Sequence, residues 1–161
     1  MIARLAASAA VEVVNRQRNL RIDSRHWAAF GQRALEEIQR ATRSSNPHVG
    51  EGGATIAFVS DRAIRRLNRE HLGKDAVTDV LSFPAEPEEF ERVAAAQSLG
   101  DIVIAVPQAT RQAAEHNLSL DQEIAQLILH GLLHLRGYDH ATDAGEMNRL
   151  ELRLRRRLDI D

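Results

Sequence analysis

Apolar and polar residues follow two different periods along this chain, and the two periods predict strands and helices in alternation. Four short stretches have the alternation or the β-branched character of strands: AAVEVVN (9–15), ATIAFVS (54–60), TDVLSFP (78–84) and GDIVIAV (100–106). The last one is a continuous apolar run bounded by glycine and proline, which is typical of a buried strand. Together with the helices, these strands predict the order βαβαββααα.

The helical segments repeat apolar residues every three or four positions, and their ends are predicted by N-caps, by proline in a first turn and by glycine. The first helix is predicted to begin at Asp23. The second is predicted from Ser60 or Asp61 to Gly73, another from Pro107 to about Asn117, and the last from about Thr142 to Leu158. A further helix, LDQEIAQLILHGLLHL (120–135), starts at a capping box formed by Ser119 and Gln122. It is apolar on nearly all sides from Ile124 onward, so we expect the helix and its histidines to be buried.

The length and composition are those of one folded domain spanning residues 1–161, without internal repeats or linkers. The stretch 44–53 reads as a loop, and the acidic stretch 85–99 as a surface loop or a lid over a neighbouring cleft. No apolar run is long enough to span a membrane, and Glu12 interrupts the small-residue start before a signal peptide develops. We therefore expect a cytoplasmic protein.

Charge and cysteine content narrow the chemistry of any site. The net charge of −2 does not indicate a polyanionic partner, although arginines gather in three groups that are either solvated helix faces or phosphate contacts: 16–25, 62–69 and 153–157. The chain has no cysteine, so a transition metal would have to be held by imidazole or carboxylate.

The stretch HGLLHLRGYDH (130–140) has the spacing of such a metal site. His130 and His134 lie four residues apart on a helix and project from one face. Gly137 suits a left-handed helix end, and the following turn can return His140 to the same ion. Three imidazoles with one open position are typical of a catalytic zinc site, although imidazoles also suit nickel. The alternative is a histidine pair hydrogen-bonded in the core.

The residue after the first histidine separates this motif from that of the zinc peptidases. In those enzymes it is a glutamate that acts as the general base, whereas here it is Gly131. The sequence therefore keeps the ligand spacing and loses support for peptidase chemistry.

HGLLHLRGYDH closely resembles the HGxLHLxGYDH signature of the YbeY family, bacterial single-strand-specific endoribonucleases of ribosomal RNA maturation. Two further stretches, LNREHLGKDAVTDVLSFP (67–84) and GDIVIA (100–105), are similar to the same family. The resemblance implies an α+β domain with a small mixed sheet of about four strands, about five helices and a zincin-like metal helix. It also implies one Zn²⁺ ion on His130, His134 and His140.

By the same resemblance, we expect a zinc-dependent endoribonuclease that cleaves single-stranded RNA in small-subunit rRNA 3′-end maturation and ribosome quality control. Thr78 and Ser82 are expected to contact substrate. Many members carry an arginine where this chain has Leu72. Lys74, or an arginine such as Arg69 one turn earlier on the helix, is a candidate to replace it at the phosphate.

The residues leave the rest of the mechanism open. A single metal ion can lower the pKa of water and polarise a phosphoryl oxygen without a separate carboxylate base, and the attacking oxygen is either water or the 2′-hydroxyl. Glu146 and Asp79 are the candidate proton acceptors. Two other functions compete: a non-catalytic zinc protein that binds the ribosome or its proteins, and a metallopeptidase, which Gly131 disfavours.

Overall fold

The computed structural model describes residues 10–42, 52–85, 98–139 and 141–161. Four strands occur in these segments: β1 (Glu12–Asn15), β2 (Gly53–Val59), β3 (Val80–Pro84) and β4 (Ser98–Ala105). Five helices accompany them: α1 (Ser24–Thr42), α2 (Asp61–Leu72), α3 (Val106–Glu115), α4 (Leu120–Leu135) and α5 (Glu146–Leu158). The predicted order of elements and the α+β class with a mixed sheet are confirmed.

The sheet has the strand order β1-β2-β4-β3. Strands β1 and β4 run parallel to β2, whereas β3 runs antiparallel to β4 at one edge of the sheet. The two buried strands in the middle, β2 and β4, are the ones whose sequences are apolar on both faces. The mixed topology therefore leaves β3 with one side paired to β4 and its other side at the edge.

Alternation along β2 divides the core into two layers. Ile56 and Phe58 pack on one face of the sheet with the apolar sides of α1, α4 and α5. Ala57 and Val59 pack on the opposite face, where α2 contributes Ile64. Helix α4 lies in the larger layer with ten buried residues, which confirms the prediction that it is buried in the middle of the domain.

Several local predictions concerning helix ends are confirmed. The Asp23 side chain accepts a hydrogen bond from the His26 N–H at the start of α1. Ser60, rather than Asp61, caps α2 by accepting from the Ala63 N–H at 3.2 Å. The capping box at α4 is complete, because the Ser119 hydroxyl and the Gln122 side chain each accept the other residue's N–H.

The start of α5 was predicted too early. The helix begins at Glu146 and not at about Thr142, because the carboxylate of Asp143 accepts the N–H groups of Gly145 and Met147 at 2.8 and 2.9 Å. Gly145 has φ +91°, a left-handed conformation that interrupts any helix before it. Residues 141–145 are therefore turns.

Smaller differences concern strand and helix limits. Strand β3 begins at Val80, and β4 begins at Ser98 and ends at Ala105, so that Val106 already belongs to α3. Helix α3 ends at Glu115, before the position predicted at about Asn117.

Several predicted features lie outside the described residues: the loop 44–53 up to residue 51, the acidic stretch at 86–97, the first residues of the chain and His140. Within the described ranges, no helix combines the length and the apolar character that crossing a membrane would need.

Candidate metal centre

Helix α4 ends in the way that the sequence predicts. The Tyr138 N–H donates to the Leu133 carbonyl at 3.0 Å, and the Gly137 N–H donates to the His134 carbonyl at 3.0 Å. These two bonds form a Schellman motif, which requires the left-handed φ of +93° that Gly137 adopts. The chain then leaves the helix axis, and Asp139 accepts the Ala141 N–H with its carboxylate at 2.9 Å in the next turn.

The two histidines of α4 converge through the same ring atom. Nε2 of His134 lies 3.0 Å from Nε2 of His130, and the rings are nearly perpendicular, with centroids 4.6 Å apart. This follows from their spacing, because residues four apart project from one face of a helix. The structure thus confirms that His130 and His134 form a pair.

Each ring is oriented by a hydrogen bond from Nδ1, on the side away from the other ring. Nδ1 of His134 donates to the Tyr138 carbonyl at 2.8 Å, and Nδ1 of His130 donates to the Glu151 carboxylate at 3.2 Å. Carbonyl and carboxylate oxygens only accept, so both bonds require the proton on Nδ1. In the neutral rings, the Nε2 atoms then carry the lone pairs, and these face one another.

Two facing lone pairs suit a shared cation. Two nitrogens bound to one tetrahedral zinc ion at about 2.0–2.1 Å would lie about 3.3 Å apart, close to the 3.0 Å observed here. Nδ1 bonded to a carboxylate or carbonyl is the usual arrangement around metal-binding histidines. The donor set fits a divalent transition metal.

The third predicted ligand, His140, lies outside the described residues. Within the described part of the chain, no group of three or more histidine, cysteine, aspartate or glutamate side chains is arranged to hold a metal ion. His140 as a ligand, and zinc as the metal, therefore stay predictions.

The histidines were expected to be buried, but His130 and His134 are only partly buried. The His130 side chain is 28% exposed, and His134 is also only partly buried, whereas their neighbours on the helix are covered by the sheet and by α1. The converging nitrogens belong to the side of α4 that the core does not cover completely. A metal ion there could meet both the protein and a substrate.

Gly131 shows why this helix carries no peptidase glutamate. A Cβ atom at Gly131 would lie 3.0 Å from three side-chain carbons of Ile102, a fully buried residue of β4. The position after the first histidine is thus used for close packing of α4 against the sheet. A glutamate at this position would require Ile102 to shift.

Edge strand β3 brings one predicted substrate residue to the same side of the sheet. Ser82 pairs with Ile102 in the antiparallel register, so their side chains share a face, and Ile102 touches Gly131 next to His130. Thr78 precedes the strand and donates from its hydroxyl to Asp79 at 3.3 Å. Lys74 is exposed in the loop after α2. Helix α2 packs on the face of the sheet opposite to the one that α4 covers.

The sequence model of one protein family, described as Endoribonuclease YbeY, matches residues 12–159. This match includes the converging histidines, β3 and α5. The chain belongs to the endoribonuclease YbeY family.

Curated YbeY relatives agree with that assignment. The chain is 45% identical over 116 residues to Endoribonuclease YbeY of Moorella thermoacetica, covering 69% of this chain and 74% of the relative. It is 38% identical over 133 residues to Endoribonuclease YbeY of Macrococcus caseolyticus, covering 80% and 81%. A Thermotoga maritima protein solved in solution shares the fold, with a TM-score of 0.56, 22% identity and coverage of 92% and 88%.

The two carboxylates predicted as proton acceptors in this YbeY family member have local bonds. Asp79 accepts from the Val80 N–H at 2.8 Å and from the Gln112 amide nitrogen at 2.9 Å. Glu146 is exposed at the start of α5 and accepts from the Ala144 N–H at 2.7 Å. Their part in proton transfer stays a prediction.

Two buried glutamates that each hold a histidine were not predicted from the sequence. Glu151 bonds His130, and Glu123 bonds Nδ1 of His116 at 3.0 Å. A signal was present for Glu151, which lies on the apolar side of α5 beside Leu150, whereas Glu123 lies in the first turn of α4, where acidic residues are common. A charged residue among inward-facing positions indicates a buried partner.

Several members of two of the three arginine groups, 62–69 and 153–157, pair with acidic neighbours. Arg65 donates to both oxygens of Asp75 at 2.9 and 3.1 Å, which raises the pKa of Arg65 and lowers that of Asp75. Arg155 pairs with Glu151, and Arg157 pairs with Glu37. These contacts favour the interpretation of charged helix faces.

Proposed function

We propose that this protein is a zinc-dependent endoribonuclease that cleaves single-stranded RNA in the cytoplasm. Its proposed role is maturation of the small-subunit rRNA 3′ end and ribosome quality control, with rRNA and ribosomal components as partners. Membership of a family of endoribonucleases supports the reaction class. The metal dependence is supported by the paired imidazoles of α4.

One observation carries the metal part of the proposal. The Nε2 atoms of His130 and His134 lie 3.0 Å apart, while each Nδ1 is occupied by an oxygen acceptor. A pair built only for core packing would need no such convergence of acceptor nitrogens on a partly exposed surface. His140 is proposed as the third ligand, leaving one position open.

The chain's own residues would bind and orient the RNA around that position. When bound, a divalent ion would supply Lewis-acid polarisation of a phosphoryl oxygen and activation of an attacking oxygen near neutral pH. Ser82 is proposed to contact the RNA backbone from the edge strand, with Thr78 beside it. Lys74 is proposed to contribute a positive charge toward phosphate.

Cleavage of a fluorescently labelled single-stranded RNA tests the proposal. Zinc-loaded wild-type protein should cut the single strand and spare a duplex of the same sequence. His134→Ala should lose cleavage, whereas His26→Ala, which removes an exposed imidazole on α1, should retain it. Equal cleavage by wild type and His134→Ala would contradict the proposal, as would no cleavage by zinc-loaded wild type.

A second candidate is a non-catalytic ribosome-associated protein in which zinc holds the end of α4 and its turn together. The observation favouring it is Leu72, which is 56% exposed where the resemblance leads us to expect an arginine. Removing the metal with a chelator discriminates between the two roles. Loss of the fold, followed by circular dichroism, favours the structural role, and an intact but inactive fold favours catalysis.

A further inference from the structure

Glu151 is a carboxylate in a position that normally takes an apolar side chain. It is 7% exposed on α5, beside Leu150 and one turn before Leu154, which are also buried. Burying a carboxylate costs free energy unless the group is paired and hydrogen-bonded. The position therefore calls for an explanation beyond packing.

Both oxygens of Glu151 are used by different partners. Oε2 accepts from Nδ1 of His130 at 3.2 Å, and Oε1 accepts from Nη2 of Arg155 at 3.0 Å, one turn along α5. Burial raises the pKa of Glu151, whereas the hydrogen bonds from His130 and Arg155 and the charge of Arg155 lower it. Both carboxylate oxygens are thus engaged, and the carboxylate is fixed between the two side chains.

The two rings of the pair are supported unequally. His134 donates to a neutral backbone carbonyl of its own helix end, whereas His130 donates to a charged side chain from a different helix. A carboxylate on Nδ1 makes the opposite nitrogen a stronger donor to a cation and fixes the tautomer. Only the His130 support can be removed by changing a side chain.

We propose that Glu151 is a positioning residue for the metal site: it holds His130 with the proton on Nδ1 and Nε2 directed at Nε2 of His134. Arg155 keeps the carboxylate in place. The inference deepens the proposed function and rests on its metal site. It makes α5 part of the site, although α5 supplies none of the predicted ligands.

Metal affinity tests this inference without relying on RNA cleavage. Zn²⁺ affinity is measured by competition with a chromophoric chelator for wild type, Glu151→Gln and Glu151→Ala. The matched control is Glu123→Gln, which removes the charge of the other buried glutamate that holds a histidine. Unfolding of each metal-free variant in urea shows that the proteins compared are folded.

Glu151→Ala should weaken Zn²⁺ binding about 10- to 100-fold, as loss of an outer-shell partner does. Glu151→Gln should lose less, because the amide oxygen still accepts from Nδ1, and Glu123→Gln should bind Zn²⁺ like wild type. The visible spectrum of bound Co²⁺ should change in Glu151→Ala and be largely restored in Glu151→Gln. A purely stabilising role would lower stability without these changes.

The possible failures are distinguishable. If wild type binds Zn²⁺ and both Glu151 variants bind it equally well, this inference is overturned and the proposed function stands. The same holds if Glu123→Gln weakens binding as much as Glu151→Gln. If wild type takes up no divalent metal, both the metal-dependent function and this inference are overturned.

Discussion

In two places a buried glutamate bonds Nδ1 of a histidine, but the surroundings of the histidine's other ring nitrogen, Nε2, differ between the two pairs. Glu123 and Glu151 have side chains only 5% and 9% exposed, and each bonds Nδ1 of a histidine at 3.0 and 3.2 Å. His116 is 54% exposed, and its pKa is raised by the hydrogen bond and the charge of Glu123. His130 is 28% exposed and presents Nε2 to Nε2 of His134.

The comparison indicates that the surroundings of Nε2, the ring nitrogen that does not bond the glutamate, decide the role of such a pair. Beside Glu123, the hydrogen bond and the charge of the carboxylate raise the pKa of His116, which widens the pH range in which the two residues form an ion pair between the end of α3 and α4. Beside Glu151, Nε2 of His130 faces a second acceptor nitrogen, and a divalent cation bound between the two nitrogens would resolve the conflict. The first arrangement joins two helices, and the second is the one that we propose to prepare a metal ligand.

The largest expected effect comes from deleting the imidazole of each pair in turn. His130→Ala should weaken Zn²⁺ binding more than about 100-fold, beyond the loss expected for an outer-shell partner, and should abolish RNA cleavage. His116→Ala should keep Zn²⁺ affinity within about two-fold, because the two pairs share no residue. Calorimetric titration and the RNA assay measure both. Equal losses in the two variants would remove the distinction between the pairs.

A smaller effect should follow from overpacking the contact between α4 and β4 next to His130. Gly131→Ala places a Cβ against Ile102, so we expect a loss of about 1–3 kcal/mol in the free energy of unfolding, measured in urea. Helix propensity alone would predict a gain of about 1 kcal/mol, so the sign separates the two causes. Zn²⁺ affinity should fall with stability, while the pKa of His116, followed by NMR, should not change. A stabilised variant would refute the packing argument.

What the sequence predicted well is what depends on neighbours along the chain. The capping box at Ser119 and the left-handed end at Gly137 each involve residues within one or two turns. The convergence of His130 and His134 has the same origin, since it follows from the helix period alone. These parts of the site required no knowledge of tertiary structure.

What the sequence did not predict depends on how distant segments meet. Glu151 is 21 residues from His130, and their contact requires the turns at 141–145 to set the register of α5. Only the start of α5 was predicted wrongly, because Asp143 delays it to Glu146. The place of Ser82 beside Ile102 similarly requires the pairing of β3 with β4. A charge on an apolar helix face predicts that a partner exists, but not which one.

The smallest expected effect, and the sharpest test of the ion-pair interpretation, is the pH dependence of His116. Because its folded-state pKa is raised above the unfolded value of about 6.5, its stabilising contribution is fully present below that pH. The contribution disappears as the pH rises through the folded-state pKa. His116→Gln keeps a donor for Glu123 without the charge, so its deficit in urea midpoint should be larger at about pH 5.5 than at about pH 8.5. Other histidines titrate equally in both proteins and cancel in the comparison. A deficit that stays constant or grows with pH would mean that the Glu123 pair, like the Glu151 pair, works through the neutral ring.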